Sequence, residues 1–187
     1  MDDSFLIKYK PYFIEDFNFD STNENAFRTF LRMNDLNILL YGSSNCGKTM
    51  LLECLVRMYY GLEKHQSFPY DNIIYINNLK EQGIQFYRNE MKTFCQTRSS
   101  IKNKKKMIII DDIDNINEQS QQVFRTYIDN YKHNVHFTMV CTNMQKVIES
   151  IQSRLHIIQL RPLSLEKIHH FVNTIAQKEN LCIGEDV

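Results

Sequence analysis

A glycine-rich segment directly behind a mainly apolar run constrains what this chain can fold into more than any other feature. The segment is Gly42-Ser43-Ser44-Asn45-Cys46-Gly47-Lys48-Thr49, and the run before it spans residues 36–41. In the pattern G-x-x-x-x-G-K-[ST], backbone N–H groups surround phosphate oxygens, the lysine reaches the β- and γ-phosphates, and the hydroxyl binds Mg²⁺. A helix expected over residues 48–60 adds the positive end of its dipole. The segment predicts a nucleoside triphosphate site; the alternative is an ordinary turn between a strand and a helix.

A second motif supports the first. Residues 107–110 form an apolar run that ends abruptly in Asp111, Asp112 and Asp114. Such a run suits a strand covered on both faces, and carboxylates at its carboxyl end suit the crevice where α/β sheets bind ligands. Asp111 is expected to orient Mg²⁺ or its water, and Asp112 to polarise the attacking water. The alternative, an acidic loop that caps the next helix, accounts for Asp114 alone.

The remaining pattern alternates strands and helices. Strands are predicted at 37–41, 72–76, 107–111, 136–141 and 156–160, and helices at 48–60, 84–95, 118–130 and 165–178, with a short helix near 147–153. Five apolar strands separated by helices predict an α/β fold with a parallel sheet between helical layers. A boundary is expected at residues 161–164, where Ser164 is placed to cap the following helix.

Composition narrows the class of protein. The chain has 187 residues, enough for one full core, and no segment approaches the ~20 apolar residues of a membrane span. An acidic N-terminus and five unpaired cysteines indicate an intracellular protein with reduced thiols. Net charge is zero, which argues against nucleic-acid binding through overall electrostatics. The basic run at Arg98, Lys102 and 104–106 either contacts phosphates or is a solvated loop.

Three further segments carry a family resemblance. Residues 146–154, Lys-Val-Ile-Glu-Ser-Ile-Gln-Ser-Arg, resemble the Lys-Ile-Ile-Glu-Pro-Ile-Gln-Ser-Arg of AAA+ clamp loaders, specifically the small subunits of replication factor C. Residues 7–11 are similar to the family's Glu-Lys-Tyr-Arg-Pro, and residues 77–84 to its Asn-Ala-Ser-Asp-Asp-Arg-Gly-Ile. The similarity runs from about residue 6 to the end of the chain.

The resemblance implies a P-loop NTPase (AAA+) fold that binds ATP and Mg²⁺. By its motifs, Tyr9 and Pro11 lie against the adenine, and Arg154 is a finger that reaches the ATP of a neighbouring subunit. The implied domains are an ATPase domain, 1–163, and the start of a helical lid, 164–187.

The implied function is that of an ATPase subunit in a hetero-pentameric clamp loader, which opens a sliding clamp and loads it at primer-template DNA during replication. The implied partners are therefore the other clamp-loader subunits, the clamp and the DNA, with no membrane. Activity of the chain alone is expected to be weak. The expected location is the nucleus, or a cytoplasmic replication site if the protein is viral. Weaker DNA-facing candidates are Lys80, Arg88, Lys92 and Arg125.

Departures from the family pattern leave several alternatives open. Asp112 stands where the family has glutamate, one methylene longer, so hydrolysis could be slow or lost. The sensor of the γ-phosphate is either Thr142 or Asn143. The family continues through a complete lid and a collar, so the sequence reads as a fragment or as a naturally short protein. The alternative functions are another AAA+ replication loader, similar to helicase loaders, and an ATP-binding assembly module that does not hydrolyse.

Overall fold

The computed structural model describes residues 4–17, 21–76 and 84–181, with only the backbone given for 21–22 and 84–88. Seven α-helices are found in these ranges: α1 (Phe5–Lys8), α2 (Ser21–Met33), α3 (Lys48–Tyr60), α4 (Ile84–Gln96), α5 (Glu118–Tyr131), α6 (Glu149–Gln152) and α7 (Leu165–Glu179). The strands are β1 (Ile38–Tyr41), β2 (Ile73–Ile76), β3 (Lys106–Ile110), β4 (Val135–Cys141) and β5 (His156–Gln159). Cys182 and the family-like residues 77–83 lie outside the described residues.

The five strands form one sheet in the order β2-β3-β4-β1-β5, and every pairing is parallel. This confirms the predicted α/β fold with a five-stranded parallel sheet. β4 lies between the two strands that carry the sequence motifs, with Tyr41 opposite Cys141 and Ile110 opposite Met139. The carboxyl ends of β1, β3 and β4 therefore meet at one edge of the sheet, where doubly wound folds bind ligands.

Helices cover both faces of the sheet. Alternate residues of each strand point to opposite faces, so each face contributes side chains to a separate buried layer. On one face, Leu39 packs with buried residues of α4 and α5 such as Met91 and Phe124. On the other face, Leu40 packs with residues of α2 and α3 such as Phe27. The interiors of β1 and β3 are apolar on both sides, as the unbroken apolar runs in the sequence predict, while β4 also buries His136 and Thr138.

The predicted elements lie within one or two residues of those observed, except for α1 and α2, which the sequence pattern did not reveal. α2 begins with the polar stretch Ser-Thr-Asn-Glu-Asn, and only Phe27 of its described residues is buried. Within the described residues, no helix is both long enough and apolar enough to cross a membrane. Ser164 caps α7 as expected, since its Oγ accepts a hydrogen bond from the Lys167 N–H at 3.4 Å. The division into domains 1–163 and 164–187 stays a prediction.

The basic run lies at the amino-terminal ends of the strands, away from the phosphate-loop edge. Lys106 is buried at the start of β3, where its ammonium donates to the Phe94 carbonyl and the Thr97 hydroxyl and lies 4.3 Å from the Phe94 ring centroid. Lys104 lies over the Tyr59 ring. Lys106 is therefore a structural residue, which corrects its grouping with the phosphate-contact candidates.

One histidine is fully buried in the sheet. His136 on β4 accepts the Leu36 N–H at its Nδ1 (3.3 Å), and its Nε2 lies 3.4 Å from the Asn34 side-chain oxygen. The Tyr59 ring packs against it edge to face. Burial, with Lys105 nearby, lowers the pKa of His136 to about 3. The folded protein thus holds this imidazole neutral, while the unfolded chain protonates it near its ordinary pKa of about 6.5.

We therefore expect acid to destabilise the fold through His136. Below pH ~6.5 the unfolded state binds one proton that the folded state does not, so the free energy of unfolding falls by about 1.4 kcal/mol per pH unit down to the folded pKa. Urea unfolding of His136→Asn, whose amide oxygen can replace Nδ1 as acceptor, should show a shallower slope between pH 6 and 4. The exposed His133→Asn is the matched control, and equal slopes in all three proteins would contradict the assignment.

Candidate nucleotide-binding site

The phosphate-loop segment forms a tight turn between β1 and α3. Gly47 has a φ of +86° and Asn45 a φ of +63°, a left-handed conformation that asparagine adopts more readily than most residues. The Lys48 side chain is buried and donates to the carbonyl oxygens of Gly42 (3.0 Å) and Ser43 (2.7 Å). Its ammonium is therefore held inside the loop, where a polyphosphate would need a positive charge.

Gly42 is required for close packing. A Cβ atom added there would lie 2.3 Å from the backbone oxygen of Leu160, the residue after β5. The loop thus rests directly on the segment that leads from the sheet to α7. Any larger residue at this position must displace the backbone.

Thr49 and Asp111 come together at the edge of the sheet. The Thr49 hydroxyl donates to Asp111 Oδ2 at 3.1 Å, and the Asp111 N–H extends the strand ladder by donating to the Ile76 carbonyl at 2.9 Å. The Tyr75 hydroxyl donates to the same Oδ2 at 3.0 Å. Oxygen atoms of hydroxyl and carboxylate groups are the ligands that Mg²⁺ prefers. Thr49 and Asp111 therefore fit the ion that the sequence predicted.

Asp112 and Asp114 differ in what they contact. Asp112 is exposed and has a φ of +54°. The pKa of its carboxyl group is nevertheless raised. The main cause is partial desolvation of the carboxylate by the surrounding protein, and the negative charges of Asp111 and Asp114 add to it. Asp114 Oδ2 accepts the backbone N–H groups of Thr142 (3.2 Å) and Asn143 (2.9 Å), and so ties the loop after β3 to the loop after β4.

The residue that caps α5 is not Asp114, so the alternative in which Asp114 caps the next helix is wrong. Asn117 caps α5, since its side-chain oxygen accepts the Ser120 N–H at 2.9 Å. The Oδ1 atom of Asp114 is buried and has no hydrogen-bond partner among the described residues. Asp114 therefore links the loop after β3 to the loop after β4 beside the site.

The two sensor candidates sit at the carboxyl end of β4. The Asn143 side-chain oxygen accepts the Gln145 N–H at 2.9 Å and caps a short 3₁₀ turn, Met144–Lys146. Thr142 is exposed, and its hydroxyl makes no hydrogen bond to the described part of the chain. Among the described residues neither the Thr142 hydroxyl nor the Asn143 Nδ2 has a hydrogen-bond partner, so either side chain can donate to a ligand between β1 and β3.

Gln121 was missed by the sequence analysis. It is buried on α5, and its Nε2 donates to the carbonyls of Ile116 (3.0 Å) and Lys146 (2.8 Å), while its Oε1 accepts the Ile148 N–H at 2.9 Å. The amide thus joins the segment after Asp114 to the segment before α6. A lone glutamine in an amphipathic helix carries no local signal of such a role.

A cavity of about 600 Å³ opens beside the phosphate loop. Its lining is mostly apolar and comes from the N-terminal segment, the loop and α7: Tyr9, Pro11, Asp16, Phe17, Asn23, Asn45, Cys46, Gly47, Met50, Leu160, Arg161, Pro162, Leu163, Ser164, Lys167, Ile168 and Phe171. Its volume falls within the range of ~300–1,000 Å³ typical of small-molecule sites. The sequence predicted Tyr9 and Pro11 in this wall but not the α7 residues.

Salt bridges and hydrogen bonds fix the N-terminal segment over the cavity. Lys10 pairs with Glu53 of α3 at 2.7 Å, and the Cys54 thiol lies 3.4 Å from the Pro11 carbonyl. The Tyr9 hydroxyl donates to Glu179 of α7 at 2.5 Å. The segment is therefore attached to the phosphate-loop helix and to α7 together.

Arg154 lies apart from the phosphate loop of its own chain. Its Nε donates to Asp129 of α5 at 2.6 Å, and its NH1 donates to the Ser150 carbonyl at 2.6 Å. Arg125 reaches the same carboxylate at 3.5 Å. Lys92 is exposed on α4. Lys80 and the side chain of Arg88 lie outside the described residues, so their DNA-facing roles stay predictions.

The sequence matches the ATPase family associated with various cellular activities (AAA) over residues 38–163. The chain belongs to the AAA family. This match includes the phosphate loop, the acidic strand and both sensor candidates. Among the described residues, no group of three or more histidine, cysteine or acidic side chains is arranged to hold a metal by itself.

Curated relatives make the AAA assignment more specific. The chain is 28% identical to replication factor C small subunit 2 of Pyrobaculum islandicum over 96% of this chain and 55% of that protein. It is 28% identical to replication factor C subunit 5 of Mus musculus over 96% and 52%, and 30% identical to the small subunit of Methanocella arvoryzae over 99% and 56%. The chain spans about half the length of the curated relatives it matches. The predicted resemblance is confirmed.

Several solved structures share the fold at low sequence identity. The Thermotoga maritima RuvB Holliday junction branch migration motor aligns with a TM-score of 0.65 and 15% identity, over 92% of this chain and 55% of that one. AMPPCP-bound DnaA from Aquifex aeolicus aligns with a TM-score of 0.65 and 16% identity, over 94% and 58%. These likenesses confirm the P-loop NTPase architecture.

We expect Gly42→Ala to destabilise the protein by about 1–3 kcal/mol, because the added methyl group overlaps a backbone oxygen that no rotamer change can move. Equilibrium urea unfolding measures this change. Ser44→Ala, at an exposed position of the same loop, should stay within about 0.5 kcal/mol of the parent protein. Equal stability of the two variants would show that the contact with Leu160 does not form.

Proposed function

We propose that this AAA chain binds ATP with Mg²⁺ and hydrolyses it. One observation carries the proposal: Lys48 and Thr49 at the start of α3, Asp111 directly after β3 and Thr142 directly after β4 lie at one edge of the sheet, beside a cavity large enough for a base. Gly42 to Thr49 would hold the phosphates, and Tyr9 and Pro11 the adenine. Thr49 and Asp111 would hold Mg²⁺, which when bound neutralises charge on the β- and γ-phosphate oxygens.

In this proposal Asp112 orients the attacking water, and Thr142 donates its hydroxyl to the γ-phosphate. Asn143 is the alternative sensor, because its Nδ2 can donate while its side-chain oxygen accepts the Gln145 N–H. Arg154 acts in trans on a neighbour's ATP. Its hydrogen bonds to Asp129 and Ser150, rather than to its own phosphate loop, support that assignment.

We further propose that the chain works in a clamp loader, as a subunit beside other loader subunits that opens a sliding clamp and loads it at primer-template DNA. The likeness to replication factor C small subunits over 96% of the chain supports this function. Lys80, Arg88, Lys92 and Arg125 are the proposed DNA contacts, and α7 begins the proposed lid. The proposed location is inside the cell at sites of replication.

Two substitutions should separate nucleotide binding from trans catalysis. Lys48→Ala should abolish ATP binding, because it removes the buried ammonium inside the loop. Arg154→Ala should leave the Kd for ATP within twofold and lower turnover in the assembled complex by about 10³-fold or more, the scale of arginine fingers in related enzymes. Fluorescent-nucleotide titration and steady-state ATPase assays measure the two effects.

Arg98→Ala is the matched control for Arg154, since it removes an exposed arginine from a different loop, the one between α4 and β3. Unimpaired turnover in an assembled Arg154→Ala complex would refute the trans role. Loss of ATP binding by Arg154→Ala would place this arginine in its own site instead.

A second candidate function is an ATP-binding assembly module that does not hydrolyse. The observation that favours it is Asp112, which is one methylene shorter than the family's glutamate and lies in a left-handed backbone conformation. If Asp112 is catalytic, Asp112→Asn should reduce turnover by at least about 10²-fold, the usual scale of acid–base catalysis, and Asp112→Glu should retain or raise it. Indistinguishable, near-zero rates in all three proteins would favour the module.

Native mass spectrometry tests the clamp-loader proposal. The chain is mixed with its organism's other loader subunits and clamp, with either a slowly hydrolysed ATP analogue or ADP. Entry into a five-subunit, clamp-bound complex with the analogue alone is the expected result. Failure with both nucleotides, for a chain that binds ATP, would favour a different AAA loader.

A further inference from the structure

Tyr75 reaches the proposed nucleotide site from a strand that carries no recognised motif. β2 is the edge strand of the sheet, and its register places Tyr75 opposite Ile109, two residues before Asp111. Because side chains alternate along a strand, Ile109 and Asp111 point to the same face. A tyrosine at position 75 can therefore extend along that face to the carboxylate of Asp111.

The contact is specific to one oxygen. The Tyr75 hydroxyl donates to Asp111 Oδ2 at 3.0 Å, and the Thr49 hydroxyl donates to the same atom at 3.1 Å. Within the described residues, no hydrogen bond reaches the other oxygen, Oδ1. With the backbone of Asp111 also held by the Ile76 carbonyl, the carboxylate has one defined orientation.

Tyr75 adopts this arrangement although its side chain is not needed to fill the core. The residue is 41% exposed and belongs to neither of the two buried clusters. Its polar end nevertheless points inward, to an acidic group at the ligand edge of the sheet. A hydroxyl bonded to a carboxylate is among the stronger hydrogen bonds of a protein, which makes this orientation persistent.

We propose that Tyr75 is a positioning residue that orients Asp111 for Mg²⁺. The inference rests on the proposed function, since it concerns the same metal and nucleotide. Tyr75 holds Oδ2 from the β2 side while Thr49 holds it from the α3 side, and Oδ1, which accepts no hydrogen bond among the described residues, would be left to bind the ion or its water. Partners that orient a metal-binding carboxylate in this way typically change metal affinity by 10–100-fold when they are removed.

The test is Tyr75→Phe, which removes the hydroxyl and keeps the ring. The Kd of a fluorescent, slowly hydrolysed ATP analogue is measured by titration in Mg²⁺ and again in EDTA, and Mn²⁺ binding to the analogue-bound protein is measured by electron paramagnetic resonance. We expect the Kd in EDTA to stay within twofold, and the gain in affinity from Mg²⁺ and the Mn²⁺ affinity each to fall about tenfold.

Tyr70→Phe is the matched control. Tyr70 lies five residues earlier, is 75% exposed, and its hydroxyl makes no hydrogen bond among the described residues. It should behave as the parent protein in both buffers. Circular dichroism on each variant checks that the fold is kept.

A double variant shows whether Tyr75 acts through Asp111. In an Asp111→Asn background the Mg²⁺ gain is already reduced, so adding Tyr75→Phe should change it by less than twofold. Three results would overturn the inference: an unchanged Mg²⁺ gain in Tyr75→Phe, an equal loss in Mg²⁺ and EDTA, or a further tenfold loss in the Asp111→Asn background.

Failure of the proposed function looks different. In that case the parent protein would not bind nucleotide, or the Lys48→Ala variant would bind it as tightly as the parent protein does. The Tyr75 inference fails by itself when the parent protein binds nucleotide with a clear Mg²⁺ gain and any one of those three results is obtained.

Discussion

The pairing of β4 between β1 and β3 is the constraint on which the site depends. β1 delivers the phosphate loop, β3 delivers Asp111, and β4 keeps the two apart by one strand. Neighbouring strands lie about 4.8 Å apart, so the two motifs are separated by roughly 10 Å, and the residue after β4 falls between them. A one-residue slip of β4 would turn Thr142 to the opposite face and bury polar groups in an apolar layer. The apolar side chains on both faces of β4 therefore also specify the geometry of the site.

Loops at a sheet edge need additional bonds to hold functional groups in place, and here polar side chains supply them. Asp114 accepts two backbone N–H groups from the loop after β4, and Gln121 bridges three segments from inside α5. A buried amide with all its bonds made contributes to stability, while the same group left unpaired would cost about 1–3 kcal/mol. Because of these hydrogen bonds, the positions of Asp112 and Thr142 depend on contacts between the loops as well as on the conformation of each loop.

The sequence predicted those features that depend on local pattern. Consecutive apolar residues identified β3 and β4 because both strands are covered on two faces, and the glycine spacing identified the phosphate loop because only that spacing permits its turn. α2 escaped detection because its first turns are polar and its burial rests mainly on Phe27. Tyr75 and Gln121 escaped because their partners lie on other elements. A contact that depends on register, such as Tyr75 with Asp111, becomes visible only when the strand order is known.

The ion pair of Arg154 with Asp129 bears on how such a chain can act on a neighbour. Both side chains are partly exposed, at 30% and 38%, and exposed pairs contribute only about 0–1 kcal/mol. Hydrogen bonding to Arg154 lowers the pKa of Asp129, so the carboxylate stays charged and the guanidinium stays oriented. A phosphate in a drier subunit interface would attract this arginine more strongly than Asp129 does in water, because electrostatic attraction strengthens as solvent is excluded. In the proposed trans role, the pair would therefore orient Arg154 in the free chain and release it at small cost when a neighbour's nucleotide binds.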